Sequence, residues 1–181
     1  MPIDLPEPAG YPDWFAQGAA QLVAMLRTAD PEAPLWAWGG FGHARFWSRR
    51  MLHENAVHRA DAELAAGIAP QFDQDTALDA IDEVLTILPH LPRAVEELAQ
   101  IGQPGQTLHL HATDAPGEWL ITLQDKAFRF EHGHTKADVA VRGSISDLLL
   151  LLYRRQQLVP ERYEVFGDQD LLARWLTHTA F

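Results

Sequence analysis

Residues 49–61 read Arg-Arg-Met-Leu-His-Glu-Asn-Ala-Val-His-Arg-Ala-Asp, and their apolar side chains recur at helical spacing although seven of the thirteen residues can ionise. A helix turns by about 100° per residue, so Glu54 and His58 lie on one face, whereas His53 points about 140° away from His58. A carboxylate and an imidazole four positions apart form half of a divalent-metal site. The alternative is a surface ion pair that contributes about 0.3 kcal/mol, and the spacing alone favours this alternative.

The helix that contains this stretch is predicted to span residues 44–66 and to end at Gly67. Its apolar side chains point to more than one side, so some of its ionisable side chains must face other helices. Buried charges are stable only when they are paired, hydrogen-bonded or bound to metal. This requirement favours Glu54 and His58 as metal ligands.

Composition excludes several classes of function. The chain has 181 residues, of which 47% are apolar and 22% charged, as in ordinary globular proteins. Its net charge of -11 excludes nucleic acid as a partner, because phosphate binding needs clustered lysine and arginine. The chain has no cysteine, so a metal would need histidine and carboxylate ligands, and thiol chemistry would need an external thiol.

The longest apolar run, residues 148–153, is far too short to span a bilayer, and the N-terminus does not have the pattern of a signal peptide. We therefore predict a cytoplasmic protein without a membrane partner.

The period of the apolar residues changes near Gly102. Within residues 1–102 the apolar side chains recur at helical spacing, which predicts an N-terminal helical bundle. Residues 103–181 contain several short segments of period two joined by tight turns, which predict an antiparallel sheet with helices laid on it. The expected fold class is therefore α+β, with two domains. The predicted helix caps are Asp13, Asp75, Ser144 and Asp168.

Two His-x-His pairs occur in the second half of the chain, His109 with His111 and His132 with His134. Alternation along a strand puts both imidazoles of a pair on one face, and such pairs can bind metal. A solvent-exposed face of the sheet is the favoured interpretation, because no acidic residue is evident nearby to support metal ligands.

Two other motifs are too incomplete to predict chemistry. Ser144 and Ser146 do not have the glycine elbow or the adjacent histidine of a serine hydrolase. The glycine-rich residues 39–42 do not have the lysine and hydroxyl residue of a phosphate-binding loop.

Residues 49–63 resemble the third-helix signature of the mycothiol-dependent maleylpyruvate isomerase family, whose members are DinB-like proteins with a metal-binding helical bundle. Several later segments resemble the family's C-terminal domain, which is α+β and similar to sterol carrier proteins. These segments are residues 107–111, 117–119, 141–144, 147–151 and 167–168. The resemblance covers about residues 12–180 and implies a DinB-like helical domain over 1–102 and a sterol-carrier-like domain over 103–181.

The resemblance implies that Glu54 and His58 bind a divalent metal, usually zinc. In the family this metal activates the thiol of mycothiol for isomerisation or conjugation of small electrophiles. Asp61 and Arg59 are candidates for groups that support the ligands. Catalytic residues and mycothiol-binding residues are not assigned by the resemblance.

The family's first helix carries a further metal-binding histidine in a pattern like Trp-Thr-x-x-Asp-Leu-x-x-His, and Leu22 occupies that place in this chain. The chain is therefore expected to begin after that helix, with an incomplete bundle and one metal ligand fewer. His43 or His53 could replace the missing ligand, or a second copy of the chain could complete the bundle in a homodimer.

Two functions follow from the sequence. The first is a metal-dependent isomerase or transferase that uses mycothiol and acts on small electrophilic metabolites. The second is a non-catalytic protein that keeps the fold and binds a small ligand or forms dimers. The presence of both Glu54 and His58 favours the first function, and the missing histidine favours the second.

Overall fold

The structure, a computed structural model, describes residues 5–179 except for the side chain of Trp38. The chain divides into two compact units, residues 1–50 and residues 51–181. The described elements are α1 (Tyr11–Thr28), α2 (Ala44–Ala65), α3 (Gln74–Ile87), α4 (Ala94–Leu98), β1 (Thr107–Ala112), β2 (Glu118–Gln124), β3 (Ala127–His132), β4 (Val139–Gly143), α5 (Ile145–Leu152), β5 (Glu164–Gly167) and α6 (Gln169–His178). The predicted α+β class, with a helical N-terminal region followed by a sheet, is confirmed. None of the helices within residues 5–179 combines the length and apolar character that a membrane span requires.

The first unit contains α1, a connecting loop and the beginning of α2. The N-cap of α1 is Gly10, so the prediction that Asp13 caps this helix is wrong. Asp13 instead lies in the first turn, where a carboxylate interacts favourably with the helix dipole. Every residue of α1 is at least partly exposed, and the Phe15 side chain is 63% exposed.

In the second unit, α3 presents one apolar face to the core. Its N-cap is Asp73, whose carboxylate accepts a hydrogen bond from the backbone N–H of Thr76 at 3.1 Å. The predicted cap, Asp75, is instead the second residue of the helix, because the run Asp73-Gln74-Asp75 leaves the first helical residue undefined by sequence. The buried apolar residues of α3 are Ala77, Ala80, Ile81, Val84, Leu85 and Ile87.

The five strands form one sheet in the order β3-β2-β1-β4-β5. Three neighbouring pairs are antiparallel, but β1 and β4 are parallel, with Leu108 opposite Val139 and Leu110 opposite Val141. The sheet is therefore mixed, and the prediction of an antiparallel sheet is wrong at this pair. The two strands meet because the chain crosses from the edge strand β3 to the far side of β1, and tight turns between consecutive strands do not reveal such a crossing.

One face of the sheet belongs to the core. Leu108, Leu110, Trp119 and Ile121 alternate along β1 and β2 and are at most 2% exposed. Full burial of such a side chain contributes about 1.5–3 kcal/mol. The predicted caps of the last two helices are confirmed, because the side chain of Ser144 accepts from Asp147 and that of Asp168 accepts from Leu171.

Gly167 ends β5 in a conformation that only glycine adopts easily, with φ at +90°, and a Cβ there would lie 2.1 Å from the carbonyl oxygen of Asp138. We expect Gly167→Ala to lower the free energy of unfolding by about 2–4 kcal/mol, from backbone strain and steric overlap together. Urea unfolding followed by tryptophan fluorescence measures this loss.

Gly105 provides the matched control, since its φ is +92° but a Cβ there would have no atom within 4 Å. Gly105→Ala should therefore cost only the conformational strain of about 1–2 kcal/mol. Equal losses in the two variants would contradict the steric part of the explanation.

Candidate metal centre

Glu54 and His58 lie on one face of α2, with Nε2 of His58 3.2 Å from Oε2 of Glu54. In a tetrahedral zinc site with bonds of about 2.0–2.1 Å, the ligand atoms lie about 3.3 Å from one another. These two atoms are therefore already spaced as two ligands of one ion. The side chain of His58 is 64% exposed, so the other coordination positions of such an ion would be open to small molecules.

The other ring nitrogen of His58 is held by an acidic residue one turn further along α2. Nδ1 of His58 lies 2.9 Å from Oδ2 of Asp61. Asp61 in turn accepts hydrogen bonds from Nε and Nη2 of Arg155, at 2.8 and 3.2 Å. The hydrogen bond from Arg155 is the largest cause that lowers the pKa of Asp61, and it outweighs the opposing effect of burial.

This arrangement determines which nitrogen of His58 can bind a metal. An ionised Asp61 favours a proton on Nδ1, so Nε2 presents its lone pair to Glu54, as in carboxylate–histidine–zinc triads. Two acceptor atoms at 3.2 Å need a cation or a proton between them. Glu54 and His58 could therefore supply two ligands to a divalent metal, oriented by Asp61 and Arg155, which is one protein ligand fewer than catalytic zinc sites have. Arg59, the other candidate for such support, instead pairs with Glu63 and with the carbonyl oxygen of Gln71.

His53 lies on a different side of α2 and is deeply buried, with its side chain 0% exposed. Its Nδ1 lies 2.8 Å from Oε2 of Glu83, and its Nε2 lies 3.1 Å from Oδ2 of Asp79. Burial was the reason to favour His58 as a ligand, and on this point the expectation is wrong, because His58 is exposed. Nδ1 of His53 is hydrogen-bonded to Glu83 of α3, and helical geometry points the ring about 140° away from His58, so His53 does not share the face of Glu54 and His58.

His43, the other suggested replacement, belongs to the first unit. Its Nδ1 lies 3.2 Å from the backbone carbonyl oxygen of Glu32 and 3.8 Å from the carboxylate of the same residue. The structure thus places His43 in a local contact with Glu32.

A second group of metal-ligating side chains lies on the sheet, on the face opposite the core. His109, His111, Glu118 and His134 each offer one ligand atom, and these atoms all lie within 4.8 Å of one another. Glu118 supplies the acidic group that the sequence did not reveal. The reason for interpreting this as a plain solvent-exposed face, that no acidic residue lies nearby, is therefore wrong, and His109 is only 4% exposed.

The strand register explains how Glu118 joins the two histidines of β1. His109 and His111 alternate with core residues, and Glu118 of β2 lies directly opposite His111 in the antiparallel pair. Side chains directly opposite each other share a face of the sheet. A sequence signal existed, because the short turn between the two strands restricts the register.

The predicted pair of His132 and His134 is split between the two faces. His132 ends β3 opposite Trp119 on the core side, and its Nε2 lies 3.1 Å from Oδ1 of Asp82. Gly133 follows with φ at +152°, which turns the chain so that His134 reaches the opposite face. The alternation rule holds only within a continuous strand, and the strand ends at His132.

Two family models match this chain. The model of the mycothiol maleylpyruvate isomerase N-terminal domain matches residues 5–63, and that of the MDMPI C-terminal domain matches residues 75–174. The second match alone spans more than half of the chain. The chain belongs to the mycothiol-dependent maleylpyruvate isomerase family.

Both family domains contribute to the site on α2. The N-terminal match contains Glu54, His58 and Asp61, whereas the C-terminal match contains Arg155 and all four residues of the cluster on the sheet. The predicted domain boundary at residues 102–103 falls within the C-terminal match, and it stays a prediction.

Three solved structures are distantly similar to parts of this chain. A UbiJ-SCP2 ubiquinone synthesis protein is 17% identical, with a TM-score of 0.45 over 60% of this chain and 93% of that chain. The sec-alkylsulfatase Pisa1 from Pseudomonas sp. is 18% identical, with a TM-score of 0.45 over 61% of this chain and 17% of that one. Sterol carrier protein 2 like 2 from Aedes aegypti is 19% identical, with a TM-score of 0.36 over 54% and 91%. No curated protein matches the sequence at a significant level.

Proposed function

We propose that this family member is a metal-dependent isomerase or transferase, which uses mycothiol as its thiol cofactor and acts on small electrophilic metabolites. The observation that carries the proposal is the 3.2 Å distance between Nε2 of His58 and Oε2 of Glu54. The other ring nitrogen of His58 is hydrogen-bonded to Asp61. This spacing suits two ligands of one tetrahedral ion, for which zinc is the best candidate.

The chemistry of a bound metal agrees with the composition of the chain. A zinc ion lowers the pKa of a thiol that coordinates it and holds the resulting thiolate, which is a strong nucleophile. The chain contains no cysteine, so the thiol must come from a cofactor such as mycothiol. A reduced thiol cofactor also favours a cytoplasmic location, where thiols are kept reduced.

The residues of the chain have distinct parts in this proposal. Glu54 and His58 would hold the metal, and Asp61 would orient His58 through the bond to Nδ1. Arg155 keeps Asp61 ionised and fixed in position. The exposure of His58 leaves space on the same side for the thiol and for an electrophilic substrate.

The unaltered protein provides the experimental test, if it is purified without an affinity tag. We expect turnover of maleylpyruvate or a related small electrophile only when mycothiol is present. Treatment with a strong chelator should reduce this turnover to the uncatalysed rate, and zinc added in excess over the chain should restore it. Turnover that survives chelation, or that does not need a thiol, would overturn the proposal.

A second candidate function is binding of a small ligand without chemistry. A cleft of about 520 Å³ on the open face of the sheet favours it. The lining side chains combine imidazoles, cations and an exposed aromatic ring: His109, His111, His134, Lys136, Arg142 and Phe166. Ligand binding in this cleft by a protein without thiol-dependent turnover would support this function instead.

A further inference from the structure

Three imidazoles converge on one carboxylate oxygen on the open face of the sheet. Oε2 of Glu118 lies 2.7 Å from Nδ1 of His134, 3.1 Å from Nε2 of His109 and 3.3 Å from Nδ1 of His111. In a tetrahedral zinc site, any two ligand atoms lie about 3.3 Å apart. Four ligand atoms define six such distances. The three distances to Oε2 of Glu118 are already close to this value, and the three nitrogens lie within 4.8 Å of one another.

Hydrogen bonds to Glu118 do not satisfy all three rings. A carboxylate oxygen offers about two lone-pair sites, so it accepts good hydrogen bonds from two donors at most. Nε2 of His109 is the nitrogen left over, because it is buried and has no hydrogen bond of acceptable geometry despite its distance of 3.1 Å from Oε2. A polar atom that is buried without a bond is unfavourable, and a metal ion on Nε2 would remove this cost.

The protonation states at the cluster also suit a metal. Burial is the main cause that lowers the pKa of His109, so this ring favours the neutral form that binds metals. Burial alone would raise the pKa of Glu118, but the hydrogen bond from His134 and the charges of His111 and His134 outweigh it. The pKa of Glu118 is therefore lowered, and its carboxylate is ionised at neutral pH.

We propose that His109, His111, Glu118 and His134 form a second zinc site, separate from the pair of ligands on α2. Imidazole is a borderline donor that suits zinc, and zinc also accepts a carboxylate oxygen as a ligand. Four protein ligands close the coordination sphere, as in structural rather than catalytic zinc sites. Such an ion would join β1 and β2 to the segment that follows β3 and would stabilise the sheet.

A variant without the ligands on α2 isolates this site. The untagged 181-residue chain with Glu54→Gln and His58→Gln is stripped with a chelator and titrated with zinc chloride in a calorimeter. We expect one zinc ion per chain and a higher Tm after zinc addition, because an ion that binds only the folded chain stabilises it.

Two further substitutions in this background identify the ligands. His134→Gln and Glu118→Gln should each weaken zinc binding at least about 100-fold and remove the zinc-dependent rise in Tm. The side chain of His134 is 75% exposed, so its replacement leaves the core intact. His132→Gln is the matched control, because His132 lies two positions away on the other face beside Asp82, and zinc binding should be unchanged.

The outcomes separate this proposal from the function of the site on α2. Zinc binding that is lost in His134→Gln and kept in His132→Gln supports the second site, whether or not the protein shows thiol-dependent turnover. Two results would overturn it: the background chain binds no zinc, or His134→Gln and Glu118→Gln both leave the affinity unchanged. Circular dichroism of the zinc-free variants verifies that each one is folded.

Discussion

Glu54→Gln is expected to lower the kcat/KM of thiol-dependent turnover at least about 100-fold, because a neutral amide is a poor ligand for a divalent metal. The substitution keeps the shape of the side chain, so α2 should fold unchanged. Nε2 of His58 would then face an amide instead of the carboxylate oxygen that lies 3.2 Å away. Steady-state kinetics with mycothiol, together with zinc content by mass spectrometry, measure both consequences.

Glu63→Gln is the matched control for this prediction. Glu63 lies on the same helix and pairs with Arg59 at 3.2 Å, away from His58. Its replacement should leave kcat/KM within about two-fold of the unaltered protein, because such ion pairs contribute only a few tenths of a kcal/mol. If Glu54→Gln keeps full turnover and an unchanged zinc content at this site, the assignment of Glu54 as a ligand is wrong.

His53→Ala is expected to lower the free energy of unfolding by about 3–5 kcal/mol. The His53 side chain is fully buried, and it lies 2.8 Å from the carboxylate of Glu83, which is itself only 2% exposed. The substitution removes the hydrogen bond to this buried carboxylate, and it also leaves a cavity between α2 and α3. Urea unfolding at neutral pH, followed by tryptophan fluorescence, gives the difference.

His132→Ala provides a comparison in which the histidine also contacts an aspartate of α3. The His132 side chain is 58% exposed and lies 3.1 Å from Asp82, so solvent screens the interaction. We expect a loss below about 1 kcal/mol for this variant. A loss of similar size for His53→Ala would mean that the buried contact with Glu83 contributes little to stability.

Local patterns predicted the elements of the fold well. The alternation of Leu108 and Leu110 with polar residues identified β1, and the spacing of Ser144 from Asp147 identified the cap of α5. These patterns depend only on neighbours in sequence. The parallel pairing of β1 with β4 depends on which strands become neighbours in space, and no local pattern encodes that choice.

The same distinction between local patterns and tertiary contacts applies to the two candidate sites. The face shared by Glu54 and His58 follows directly from helical geometry, so the sequence was sufficient. Arg155 lies 94 positions beyond Asp61, and only the tertiary fold brings them together. On the sheet, His134 reaches the cluster because the chain turns at Gly133, which interrupts the alternation that the sequence-based prediction assumed.

The location of bound zinc tests the central claim most directly. Crystals of the untagged protein grown with zinc, and measured at the zinc absorption edge, should show an anomalous peak about 2 Å from both Oε2 of Glu54 and Nε2 of His58. A well-ordered α2 without a peak between these two atoms, whatever peaks occur elsewhere, would contradict the claim that this face of the helix is a metal centre.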